Sequence, residues 1–407
     1  MNRCTVRLLF TLATASILAG CGLSPGPGED PGALPAETLA PPAARYAAAA
    51  EQVRQHARDL IVDENLPGVS IAVAVDGELA WAEALGWSDL EERVPLTPRM
   101  RFRIGGVSQA LTAAAVGLLL ERGLLDLDAP VGDYLPTLPD EHGRVTARQL
   151  MGHVAGFGHY GGGENGQVNP DDGLAFARRT CAVAADATDI FAGDRLRFEP
   201  GTAFRYSSYG WVLVSALVEA VAGEPFADFM EREVFAPVGM PDTRLDAPGG
   251  PLGGHGHAVP GRAGLYFPAF AMRTRHGLHD APNIDHTCLM GADGFVSTPS
   301  DLARFGAALS RGDVLEPGTV ELLQTAAQLA SGEPTDYGLG WFVRRVPLDD
   351  TEARVVGHGG SAVGGSTSFM AFPDHDLVIA VSSNVSFAED AVRSLALATA
   401  AAFAGHE

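Results

Sequence analysis

Apolar residues recur every three to four positions from Tyr46 to Val62, which predicts a helix. Pro67-Gly68 stops it, and Gly68 to Val75 then alternates as a strand. Asp76-Gly77 is a two-residue hairpin signal, and Glu78 to Trp87 reads as the partner strand. Thr112 to Arg122 predicts a dense apolar helix closed by Gly123, and Thr146 to Met151 another turn or two. After Pro200-Gly201, Trp211 to Val221 reads as a helix ended by Gly223, with Asp228 to Val234 continuing helical. Residues 248–289 are rich in Gly, Pro and His without a clean period, so they read as an irregular excursion around a surface or cleft. Ser300 to Ser310 predicts a helix with Ser300 or Pro299 at its start. Tyr337–Val346, Arg354–Gly357, Ser366–Phe372 and Leu377–Ser383 suit strands, and Glu389–Phe403 a closing amphipathic helix. Strands at both ends and helices between them predict one α/β unit over residues 44–405. An antiparallel sheet from 44–100 and 290–405 would be flanked by terminal helices, with a mainly helical subdomain, 101–289, inserted.

The first residues change the compartment. Arg3 and Arg7 precede a short apolar run, Leu8 to Leu18, which is too short to span a bilayer and fits a cleavable export signal over residues 1–20. It ends in Leu18-Ala19-Gly20-Cys21, which resembles a bacterial lipobox; Cys21 would then carry the lipid. Residues 21–43, rich in Gly, Pro and Ala, read as a semi-extended tether. The expected place is the periplasm or cell exterior, on a bacterial membrane. The net charge of −22 argues against a nucleic-acid partner. Cys181 and Cys288 remain after export, and whether they pair is open at this level.

All 28 Lys+Arg residues are arginine. That bears on five ordered stretches: Phe102–Pro136 (FRIGGVSQALTAAAVGLLLERGLLDLDAPVGDYLP), Val145–Phe157 (VTARQLMGHVAGF), Glu199–Gly223 (EPGTAFRYSSYGWVLVSALVEAVAG), Gly291–Leu309 and Gly357–Pro373 (GHGGSAVGGSTSFMAFP). Together they resemble the penicillin-recognising serine hydrolases, in the branch of class C β-lactamases, D-alanyl-D-alanine carboxypeptidases, related esterases and LACTB-like proteins. The resemblance implies a β-lactamase/transpeptidase-like fold. It also implies a serine at a helix N-terminus, a lysine one turn later, a Tyr-x-Asn-like loop, and a Lys- or His-x-Gly strand opposite. No cofactor is implied.

Carried over residue by residue, the first two parts fail: Gly106 stands where the serine belongs and Gln109 where the lysine belongs. Glycine has no side chain to attack a carbonyl, and a neutral amide is no base. A drift toward arginine does not explain Gln109. Ser108 points about 200° round the helix from Gly106 and is no substitute. The loop survives as Tyr206-Ser207-Ser208, with Ser208 in the Asn position, and the strand as His358-Gly359-Gly360. The resemblance places oxyanion-type backbone donors at Gly106 and Ser361, which need no side chain. A further family block decays to Gly152-His153-Val154-Ala155-Gly156.

The expectation is therefore a degenerate member that binds a cell-wall peptide or acyl compound without cleaving it. The alternatives are a hydrolase using a non-standard nucleophile or a water activated by Tyr206 or His358, and a scaffold protein. His255, His257, His276, His279 and His286 crowd one stretch without a metal-ligand frame, so they are expected to line or cover the cleft and no metal site is assigned.

Overall fold

The computed structural model describes residues 30–160, 176, 179–247, 261–348 and 351–404. In chain order, the elements that matter here are β1 (Ala36–Ala40), α1 (Ala47–Asp63), β2 (Gly68–Val75), β3 (Glu78–Asp89), α2 (Val107–Glu121) and α3 (Ser208–Ala222). They continue with α4 (Met290–Asp293), α5 (Pro299–Arg311), β4 (Phe342–Leu348), β5 (Thr351–Ala362), β6 (Gly365–Phe372), β7 (Leu377–Ser383) and α6 (Glu389–Ala404).

The hairpin forms where Asp76-Gly77 predicts it, both residues taking positive φ as a type I′ turn requires. β2 is buried along its whole length because it is covered on both faces. Ala72 and Ala74 enter a core shared with α2, α3 and α5, while Val69, Ile71 and Val73 enter a second core shared with α1 and α6. The sheet runs β1-β3-β2-β7-β6-β5-β4, every pair antiparallel. This is the expected antiparallel sheet flanked by the terminal helices α1 and α6, with α5 and, from the middle segment, α2 and α3 on the side of its other face.

Three expectations need correction. The tether does not extend to residue 43: Ala36–Ala40 pairs with β3 and Leu34 is buried, because this short stretch finds an open sheet edge. Residues 1–29, with the signal segment and Cys21, lie outside the described residues. Helix α2 begins at Val107, not Thr112; Gly106 caps it without a side chain, so no capping signal marks the start. The strand expected from Tyr337 begins at Phe342, since Gly340 takes φ +95° and turns the chain. Helix α5 starts at Pro299, capped by the Thr298 hydroxyl.

Cys181 and Cys288 form a disulfide across a sequence separation of 107, tying the segment after residue 179 to the turn that leads into α4. Among the described residues no helix is long and apolar enough to cross a membrane.

Candidate active site

Two features bring the site together. β5 outruns its neighbour: the β4 pairing ends at Phe342 opposite Gly357, so His358 to Ala362 continue as a free sheet edge on that side. Gly360 then packs on the turn before α2, where a Cβ would lie 1.8 Å from the Ile104 carbonyl oxygen. Gly105, at φ +50°, is tight as well: a Cβ there would lie 2.5 Å from the Ser361 carbonyl oxygen. Glycines at these positions let the strand and the helix start meet backbone to backbone. Between them lies a cavity of about 280 Å³ whose walls include Gly106, Tyr206, His358, Gly360, Ser361 and Asp293.

Gly106, Tyr206, His358, Gly360 and Ser361 thus share one cavity, as the sequence predicts. The volume that a side chain at 106 would need is taken: a Cβ there would meet the Tyr206 hydroxyl at 2.6 Å and His358 Cε1 at 2.8 Å. Gln109, fully buried, stands between two tyrosines, with Nε2 2.5 Å from Tyr206 Oη and Oε1 3.0 Å from Tyr337 Oη. Tyr337 Oη lies 2.9 Å from His358 Nε2, and His358 Nδ1 lies 2.6 Å from the Gly359 carbonyl.

Counting protons orients this chain. A carbonyl only accepts, so His358 Nδ1 carries the hydrogen and Nε2 takes the Tyr337 hydroxyl proton. Tyr337 then has only a lone pair for Gln109. The amide satisfies both neighbours when turned with its NH2 toward Tyr337 and its carbonyl toward the Tyr206 hydroxyl. The lengths agree, since 2.5 Å suits an O–H···O bond and 3.0 Å an N–H···O bond. The relay runs Tyr206, Gln109, Tyr337, His358, Gly359 O, and the Tyr206 proton is directed away from the cavity.

Burial holds the histidine and tyrosines of the relay neutral. It pushes His358 down to about 4, and pushes the Tyr206 and Tyr337 hydroxyls far above the usual tyrosine range. His153, at φ 60°, is buried against Tyr206 and Tyr337 with ring centroids 4.4 and 4.6 Å away, and accepts the Ser207 N–H at 3.1 Å. Ser108 faces elsewhere: its hydroxyl accepts the Phe295 N–H at 3.3 Å. Ser208 does not reach Gln109; its hydroxyl donates to Asp293 Oδ2 at 2.7 Å.

Asp293 is the residue that sequence reasoning missed. It is 4 % exposed at the end of α4. The Tyr160 hydroxyl also donates to its Oδ2, at 3.0 Å. Burial pushes the carboxyl up to about 7, against the opposing effect of the Ser208 and Tyr160 hydrogen bonds. Tyr337, His159, Tyr160 and Glu389 were missed as well. The expectation that loop histidines line the cleft is overturned for three of them: His276, in the 3-10 turn Thr274–His276, and His279, in the short strand Leu278–Asp280, are exposed, and His286 is buried near Arg103 and Asp246. His255 and His257 lie outside the described residues. Among the described residues no three potential metal ligands converge.

The beta-lactamase family pattern matches residues 51–403. The chain belongs to the beta-lactamase family. Among curated relatives, it is 26% identical to the serine beta-lactamase-like protein LACTB, mitochondrial, of Mus musculus, covering 83% of this chain and 75% of the relative. It is 28% identical to penicillin-binding protein 4* of Bacillus subtilis, covering 77% of this chain and 67% of the relative. Among solved structures, D-amino acid amidase from Ochrobactrum anthropi superposes with a TM-score of 0.71 at 20% identity, covering 88% of this chain and all of that one. The octameric penicillin-binding protein homologue from Pyrococcus abyssi superposes with a TM-score of 0.70 at 22% identity, covering 88% of this chain and 77% of that one. The fold of this beta-lactamase family member is therefore the β-lactamase/transpeptidase-like fold of the sequence resemblance.

Proposed function

We propose that this beta-lactamase family member is non-acylating and binds a small acyl or peptide ligand of the cell envelope, on a body anchored to a bacterial membrane through lipid at Cys21. The observation that carries the reading is the occupied volume at Gly106. Tyr206 and His358 stand where a nucleophile's side chain would be, and Gln109 locks both into a neutral relay instead of supplying a base. What remains is a binding cavity with backbone at Gly106 and Ser361 in its wall.

The test is intact-mass spectrometry after incubation with a fluorescent penicillin and a fluorophosphonate. No mass gain is expected, and an adduct on any side chain overturns the proposal.

A second reading, hydrolysis by water without a covalent intermediate, is favoured by one observation. Asp293 is a cavity carboxyl whose affinity for protons is poised near neutrality, whereas burial makes His358 a weak base and Tyr206 a weak acid. Ester turnover without an adduct, abolished by Asp293→Asn, would establish it in place of binding alone.

A further inference from the structure

We infer that the cavity takes a primary ammonium group, held between the Asp293 and Glu389 carboxylates with Tyr206 Oη as a third acceptor. The inference deepens the binding role proposed above and rests on it for a ligand that is held and not cleaved.

Among the described residues the walls carry two carboxyl groups, Asp293 and Glu389, and no arginine. Both hydroxyl partners of Asp293 settle on Oδ2, so Oδ1 receives no hydrogen bond from the described residues. Glu389, at the first turn of α6, has a buried Oε1 without a hydrogen-bond partner among the described residues. The relay leaves Tyr206 with lone pairs, and no proton, toward the cavity. An ammonium group offers three donors and no acceptor, which matches walls made of acceptors.

The remaining charges agree. His159 and His358 also line the cavity, and burial pushes both down to about 4, so both are neutral at pH 7. Arg205 and Arg344 lie close enough to act on these two rings but stand outside the lining; Arg344 and Arg393 line the adjoining cavity, which shares Phe342, His358 and Glu389. Gln109 supplies no positive charge where the family resemblance expects a lysine. A carboxylate entering here meets Glu389 and an Asp293 carboxyl that holds its proton up to about pH 7, whereas a cation favours the ionised form of Asp293 and gains two opposite charges, with the rings of Tyr160, Tyr206 and Phe342 also in the lining. A volume of about 280 Å³ suits a small amine.

The experiment titrates the mature chain with three probes of one shape, benzylammonium, benzyl alcohol and benzoate, by calorimetry. Benzylammonium is expected to bind about tenfold or more tighter than benzyl alcohol, with benzoate weakest. Asp293→Asn should weaken benzylammonium about tenfold and leave benzyl alcohol within about twofold. Glu389→Gln, at a half-exposed position that tolerates change, should weaken it about threefold, and it carries the test if Asp293→Asn does not fold. Benzoate binding as tightly as benzylammonium, no binding of benzylammonium, or unchanged affinity in both variants overturns the inference. An adduct with penicillin would instead overturn the non-acylating reading, whatever the order of the three probes.

Discussion

A single methyl group tests the residue at the centre of the cavity. Gly106→Ala puts a Cβ within 3 Å of Tyr206 and His358, both held by the buried relay, and should cost about 1–3 kcal/mol by denaturant unfolding. Gly106→Ser should cost as much and still give no penicillin adduct, because Tyr206 remains fixed to Gln109. Gly106→Ser with Gln109→Lys removes that hold, frees Tyr206 to retract and restores a base, so covalent labelling should appear in the double variant alone. Labelling of the single variant at the rate of the double would show that Gln109 does not fix Tyr206. Gly106 and Gln109 are legible in the sequence because the helix that holds them keeps its place between recognisable neighbours. Asp293 is not, since an aspartate flanked by Ala292 and Gly294 has no periodic signal. Its partner Tyr160 lies 133 residues away, and only the fold brings them together.

At the scale of elements, period and turn chemistry locate β2, its hairpin, β7 and α6 to within a residue or so, because their apolar positions alternate or recur toward a buried face. The start of α2 and the turn at Tyr337–Trp341 are hidden, because both depend on tight backbone approaches and not on side-chain pattern. The disulfide is likewise invisible from spacing alone. It closes a long loop around the segment that positions α4, so removing it by Cys181→Ser and Cys288→Ser should lower stability by about 3–5 kcal/mol. Chemical unfolding with and without reductant reads this directly; an unchanged midpoint would mean that the rest of the packing already holds α4 in place.

For the whole molecule, acid is the direction of weakness. His153, His159, His286 and His358 all have their proton affinity lowered by burial. As pH falls from about 6.5 toward 4, the unfolded chain takes up protons that these folded rings refuse, and each costs up to about 1.4 kcal/mol per pH unit. Asp293 and Asp301 act in the opposite sense: burial pushes them up to about 7 and about 6, so the folded chain binds their protons first. Four rings against two carboxyls leave a net loss, and the urea midpoint should fall between pH 6.5 and 4.5. A flat profile would mean that the rings are solvated in the native state. The fold class itself is legible from the order of strands and helices. The two cores are not, since β2 reads as one alternating strand whether one or both of its faces are covered.

The docking of Ala36–Ala40 on β3 has a mechanical side. If lipid holds Cys21, the slack between the bilayer and the folded body is only residues 22–33, about 40 Å at full stretch. Any tug on that leash falls first on the outermost strand. The ladder it loads is short and broken by a register shift between Thr38 and Ala40, so it should peel from the edge like a zip before the rest of the sheet yields.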